Sequence, residues 1–410
     1  MTSAGFSHIA NALRERDFAI YSGGNILNHV GTWMQRVTAG WLAWEMTHSA
    51  TWLGLIGLAD MVPILILGPM AGAMADRFDR MRTVRTTQIF IVIFAVVIFL
   101  LMWVGALSVE LLFLLLFAQG ICLSIDQPSR LAMIPALVGK RENLPAAFAI
   151  NALTFNGARF IGPSVAGFII INWGIVAAFA WSGVFFGTFV IALMLIRPPA
   201  QDLKPSGKNF FAEVADGVTY TTRHQGIGPL IAILLAVSIL GRPLISFFPG
   251  FATDVFHRGA DGLALLTAAV GLGAVFGGFY LAQRQSITGL SKIFLLNIAL
   301  IAFALIAFAS HDIFWLAVPL AGLVGWGLMI NGISAQTLIQ NAVDSNMRGR
   351  VLSLYGMVQR GGQSLGSLVL GVIADQAGFR WTIAGCGILC ILLWLWSLRR
   401  ARTMAETMEN

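Results

Sequence analysis

Charge is what this chain has least of. Of its 410 residues only 11% are Asp, Glu, Lys or Arg, against roughly 25% in a soluble domain. That leaves too little polar surface to keep a globule of this size in water. Acidic residues are the scarcer sign, 19 against 26 basic ones. The resulting net charge of +7 does not point to nucleic acid, because the basic residues sit in short segments between apolar runs and not along one soluble face. Cysteine is almost absent. Cys122, Cys386 and Cys390 all fall within apolar stretches, the last two a turn apart and none at metal-ligand spacing, so a disulfide framework is excluded, no metal is expected, and the three read as packing residues. The six histidines include no His-Glu-x-x-His pair. Gly139-Lys140-Arg141 and Gly207-Lys208-Asn209 both fail the phosphate-loop pattern. Neither zinc hydrolysis nor direct use of ATP is expected, and with them an enzyme and any cofactor recede. No secretory leader is expected, since Arg14, Glu15 and Arg16 occur early with no apolar core before them, and the first long apolar segment is expected to serve as the insertion signal.

What the chain has in excess is apolar side chains, 57% of its residues, with a mean hydropathy of +0.80. A helix crossing a bilayer needs about 20 such residues, whereas a barrel strand would show as alternation over about 10. Unbroken runs such as 89–104 and 383–398 fit helices. They predict twelve spans, near 18–45, 52–75, 84–105, 109–134, 145–171, 175–196, 226–252, 261–283, 292–310, 313–340, 350–374 and 379–398. With the N-terminus inside, nearly all loop arginines and lysines face the cytoplasm and only Arg258 and Arg380 face out, as the positive-inside rule requires. Both termini are therefore expected in the cytoplasm of a bacterium, the chain being multi-pass in its inner membrane.

The one long connection begins Arg197-Pro-Pro and carries Phe210, Val214 and Val218 at helical spacing, with Glu213 and Asp216 among them. A short helix on the inner membrane surface or a plain packed linker helix both fit. This divides the chain into residues 1–196, a linker at 197–225, a second half at 226–398 and a tail at 399–410. The halves read as weak copies, since 134–167 parallels 339–371 with matching Gly and apolar positions.

Between the second and third spans the sequence runs Gly72-Ala-Met-Ala-Asp76-Arg77-Phe-Asp79-Arg80-Met-Arg82. It resembles the loop signature of the Major Facilitator Superfamily, with Asp79 where Gly is commonest. The corresponding stretch of the second half, Gly278 to Arg284, lacks the acidic residue. In the fifth span, Asn156-Gly157-Ala-Arg159-Phe-Ile-Gly162-Pro163-Ser-Val-Ala-Gly167 is similar to the Gly-Pro antiporter pattern of exporter branches. Together with Gly31-Thr-Trp33-Met-Gln35 and Pro128-Ser-Arg130-Leu-Ala-Met-Ile-Pro135, the chain resembles the branch holding the enterobactin exporter and macrolide efflux proteins. The resemblance implies an all-α membrane protein of the 12-helix Major Facilitator fold, two six-helix halves around a central cavity near midplane. It also implies a cytoplasmic latch made by Gly72, Asp76, Arg77 and Arg80 against the start of span eleven around Gly349-Arg350, and a bending span at Gly157, Gly162, Pro163 and Gly167.

An ionisable side chain within a span is costly and is a functional hypothesis by default. Arg36, Asp60, Asp126, Arg159, Arg242 and Arg360 qualify. Arg36 and Asp60 are placed at similar depth by the antiparallel first two spans and are expected to pair. Asp126 can reach Arg159, with Gln119, Asn151 and Asn156 completing the network, or Arg130 one turn away. Asp60 and Asp126 are the candidates for proton coupling. Four arginines against two aspartates leave an excess of positive charge. An anionic substrate group would satisfy it, as would backbone carbonyls or snorkelling to an interface. Asn331, Gln336 and Gln340 on span ten and Trp33 and Trp41 on span one complete the expected cavity lining. The expectation is a proton-coupled exporter of an amphipathic small molecule, drug-like or siderophore-like, working as a monomer in the lipid bilayer, with a lipid or lysophospholipid translocator as the alternative.

Overall fold

The computed structural model describes residues 10–59, 61–64, 66–67, 78–197, 210–284 and 286–409. Long apolar runs without polar alternation leave every backbone N–H and C=O to be satisfied within its own segment, which in lipid only a helix achieves. The described elements are accordingly helices: α1 Arg16–Thr47, α2 Ala50–Ala59, α3 Arg80–Trp103, α4 Val109–Leu137 and α5 Leu144–Leu195, then α6 Phe210–Arg223 and α7 Ile227–Leu240. They continue as α8 Ala260–Ala282, α9 Leu290–Ala309, α10 Phe314–Ala342, α11 Arg348–Ala377, α12 Phe379–Leu398 and α13 Ala401–Met408. The stretch expected as one span at 226–252 is broken. After α7 come the short turns Pro243–Ser246 and Phe248–Gly250 and a π turn at Phe251–Val255, because Pro243 and Pro249 each withhold an N–H from the ladder. α5 is two spans, turned at Gly174 (φ 81°, ψ 171°), a conformation that costs a residue without Cβ little.

Eight helices among the described residues are long and apolar enough to cross a bilayer, α5 among them. Counting α5 twice and adding α1, α11 and the shorter α2 gives the twelve of the expected fold. α1 and α11 fall short of that apolarity because they carry polar stripes: Asn25, Asn28, His29 and Gln35 on the first, Tyr355, Gln359 and Gln363 on the second.

The chain forms two compact units, residues 1–42 with 59–207 and residues 43–58 with 208–410. The core of the first includes Phe18, Tyr21, Met81, Met133, Phe189 and Leu193. In the second, α8 and α10 touch backbone to backbone: a Cβ at Gly273 or Gly325 would land on the facing carbonyl of Gly322 or Val270. The segment 43–58 is seated in this second unit. The Trp44 indole N–H donates to Thr253 Oγ1 (2.7 Å), and its ring packs edge-on to Phe379. At the start of α2, the Asp375 carboxylate accepts from Ser49 Oγ (2.7 Å), Ala50 N (2.5 Å) and Thr51 N (3.0 Å). Gly54 lets α2 lie against the carbonyl of Ser367 on α11.

Residues 399–409 carry structure as well. α13 buries Met404 and Met408 completely. The Glu409 carboxylate accepts from Gly289 N (2.6 Å) and Ser291 N (2.7 Å), two of the orphan donors at the start of α9, while Asn341 donates to the Met408 carbonyl (2.9 Å).

Candidate functional site

In the first unit the polar side chains converge on α1. Asp126, fully buried on α4, pairs with Arg130 (2.6 Å), itself only 6% exposed, and accepts from Thr87 of α3 (3.1 Å). Of the two partners weighed for Asp126, the structure takes the one a turn away on its own helix. Arg130 donates onward to Asn25 Oδ1 (2.9 Å) and lies over the Phe189 ring, and Asn25 donates to Asn151 on α5 (3.1 Å). Four helices are tied through one buried ion pair. Gln119 joins α1 separately, donating to Gln35 (2.9 Å). Asn156 stays outside this network, exposed and bonded to the Ala152 carbonyl of its own helix.

Arg159 is elsewhere. Its guanidinium carbon stands 5.4 Å from the Trp33 ring centroid, while that of Arg36 stands 4.8 Å from the same ring. The reason is Gly162, where a Cβ would lie 2.6 Å from Trp33 Cβ and 3.0 Å from the Val30 carbonyl. Only hydrogen there lets the two helices cross so closely. His29, Trp33 and Arg36 then meet Phe155, Arg159 and Gly162, each triplet at i, i+4, i+7 spacing and so on one helical face. His29 and Phe155 were missed in the sequence; the shared spacing of the two triplets was the signal. Among the described residues Arg159 has no carboxylate within salt-bridge distance. Of the bending motif, Gly157 faces open space and Pro163 lies inside the helix.

Asp60, the expected partner of Arg36, lies outside the described residues, as do Gly72, Asp76 and Arg77 of the loop signature. The remainder of that loop is anchored. Asp79, standing where Gly was expected, is the N-cap of α3 and accepts from Arg82 N (2.7 Å). Arg80 donates to the Ala132 carbonyl of α4 (3.0 Å), and Arg85 to the carbonyls of Leu193 and Ile196, a cation meeting the unsatisfied end of α5. Arg350 pairs with Asp216 of α6 (3.0 Å).

In the second unit Arg242 meets Gln359, whose amide donates to Tyr355 Oη (2.9 Å), which donates to the Gly332 carbonyl of α10 (2.9 Å). Asn331 is buried and reaches the Phe294 carbonyl at 3.4 Å, while Gln336 and Arg360 are exposed.

One spelling associated with catalysis does occur, Gly362-Gln363-Ser364-Leu365-Gly366, which fits Gly-x-Ser-x-Gly. A nucleophile elbow needs a sharp strand-to-helix turn that exposes the serine. Here the stretch is interior to α11 and Ser364 is buried. Its glycines serve packing: a Cβ at Gly362 would lie 2.8 Å from Ser238 Cβ, and one at Gly366 would strike the Ile239 backbone.

Residues 7–409 match the family model described as Transmembrane secretion effector. The chain is 24% identical to the Staphyloferrin A transporter of Staphylococcus aureus over 92% of its own length and 94% of the relative's. It is 28% identical to the enterobactin exporter EntS of Salmonella typhi (87% and 87%) and 22% identical to Macrolide efflux protein A of Streptococcus pyogenes (85% and 87%). In fold it is similar to a bacterial homolog of the human lysosomal transporter Spinster, with a TM-score of 0.74 at 15% identity over 97% and 98% of the two chains. The nucleoside transporter NupG gives 0.70 at 12% identity over 94% and 99%.

Proposed function

The chain belongs to the transmembrane secretion effector family of the Major Facilitator Superfamily, and on that premise we propose that it exports an anionic, amphipathic small molecule by alternating access, driven by protons moving inward. It is a transporter and not an enzyme. The observation that carries the proposal is the meeting of Arg36 and Arg159 on the one indole of Trp33. Arg159 has no carboxylate within salt-bridge distance among the described residues, and a cation within a membrane holds its charge at high cost. A bound anion offsets it, and the indole offers apolar and cation–π contact beside it. A cargo that is apolar with a negative group fits such a site. The names of the relatives, transporters of staphyloferrin A, enterobactin and macrolides, favour a siderophore-like or drug-like cargo, and they give the lipid or lysophospholipid translocator no support.

Arg242, Arg360, Asn156, Gln119, Asn331 and Gln336 are proposed as further substrate contacts, and Asp60 and Asp126 as proton-coupling residues. Asp126 serves that role only if its pair with Arg130 opens, since in the closed pair no solvent reaches it. Arg130 keeps Asn25 as a partner when it does. The loop Gly72, Asp76, Arg77 and Arg80 is proposed as the gate, and both termini as cytoplasmic.

Proteoliposomes carrying a pH-sensitive dye test this, with siderophores and macrolides offered as cargo to the wild type and to Asp60→Asn, Asp126→Asn and Arg159→Gln. Cargo-induced proton flux that disappears in one aspartate variant supports coupled export and identifies the carrier. Cargo movement without proton flux refutes the coupling, and wild-type affinity for an anionic cargo in Arg159→Gln refutes the anion site.

A further inference from the structure

At the end of the second unit where α9 starts and α12 finishes, a cavity of about 410 Å³ opens beside α13. Leu295 and Leu296 of α9 and Trp394 and Leu398 of α12 make its walls, and Lys292 and Arg402, both exposed, stand at its mouth. Trp394 sits one turn, about 6 Å, before the end of α12, and Lys292 is the third residue of α9. The cavity therefore lies at headgroup depth, where amphipathic rings and long basic side chains collect.

Two observations say what fills it. The walls are apolar while the mouth is basic, with Arg399 and Arg400 following directly along the chain. The nearby carboxylates are engaged: Glu409 on the N–H groups of Gly289 and Ser291, and Glu406 on Arg402. The α13 wall is fixed, since Met404 and Met408 are buried and Glu409 pins its end to α9.

We propose that this cavity binds one anionic phospholipid of the leaflet that the termini face, its acyl chain along Leu295, Leu296 and Leu398, its phosphate at Lys292 and Arg402. Basic pockets between helices at this depth are suited to such headgroups. The lipid is a bound partner of the scaffold and not its cargo.

Native mass spectrometry of the full-length protein, released from nanodiscs of mixed phosphatidylglycerol and phosphatidylethanolamine, tests the site. Wild type is expected to retain phosphatidylglycerol selectively. Lys292→Ser with Arg402→Ser is expected to lower that retention roughly thirtyfold, the worth of two basic groups at an anionic surface. Leu296→Trp, at an exposed position that a larger ring fills without disturbing the core, is expected to remove it while leaving both cations. Equal retention of the two lipids by wild type overturns the proposal, as does unchanged phosphatidylglycerol retention in Leu296→Trp. Saturation by soluble glycerol phosphate alone assigns the cations to a free anion and overturns it as well.

Discussion

Replacing Asp126 by Asn separates the structural from the functional share of the buried pair. Asp126 and Arg130 are 0% and 6% exposed and 2.6 Å apart, so neither can fall back on water when the other is neutralised. Breaking such a pair from one side costs about 3–5 kcal/mol, because a charge is left buried without its counterion. Arg130 keeps the carbonyl of Asn25 and the face of Phe189, which places the expected loss near the lower end, about 3 kcal/mol. Removing both charges, Asp126→Leu with Arg130→Met, deletes the buried charge altogether. It is expected to recover most of the loss, leaving about 1–2 kcal/mol for the unmet polar groups of Asn25 and Thr87. Unfolding by SDS in mixed micelles, followed by tryptophan fluorescence, reads these differences directly. If Asp126→Asn is as stable as wild type, or if the losses of Asp126→Leu and Arg130→Met taken singly simply add in the double variant, the pair is not energetically coupled and the reasoning fails.

Gly162→Val is expected to cost about 1–3 kcal/mol through overpacking against Trp33 and to weaken cargo binding with it. Gly157→Ala, which meets nothing within 4 Å, is expected to be neutral or to stabilise by about 0.5–1 kcal/mol; equal effects at the two glycines in a thermal-stability assay contradict the crossing described here. Asp375→Asn, which weakens the acceptor for Ser49 and for the Ala50 and Thr51 N–H groups at the start of α2, is expected to cost about 1–3 kcal/mol; wild-type thermal stability in that variant rejects the assignment. Arg159→Gln is expected to raise the half-saturating concentration of an anionic cargo several-fold while leaving a neutral macrolide unaffected, measured as cargo uptake into inverted vesicles.

The spans, their number and the family were legible in the sequence, because an apolar run long enough to cross lipid has one backbone solution and declares itself locally. The close approach at Gly162 was legible for a similar reason, since closely spaced small residues allow close approach wherever the helix sits. Partner choice was not. Helical rise gives the depth of Asp126 and Arg159 but not how α4 and α5 are rotated about their axes, and it is that rotation which sends Arg159 to Trp33 and leaves Asp126 to Arg130. Nor could spacing show that residues 43–58 belong with 208–410, or that 401–408 fold back to cap α9 through Glu409. Those contacts join positions from 118 to 326 residues apart, and only the packed helices decide which distant donor finds which carboxylate.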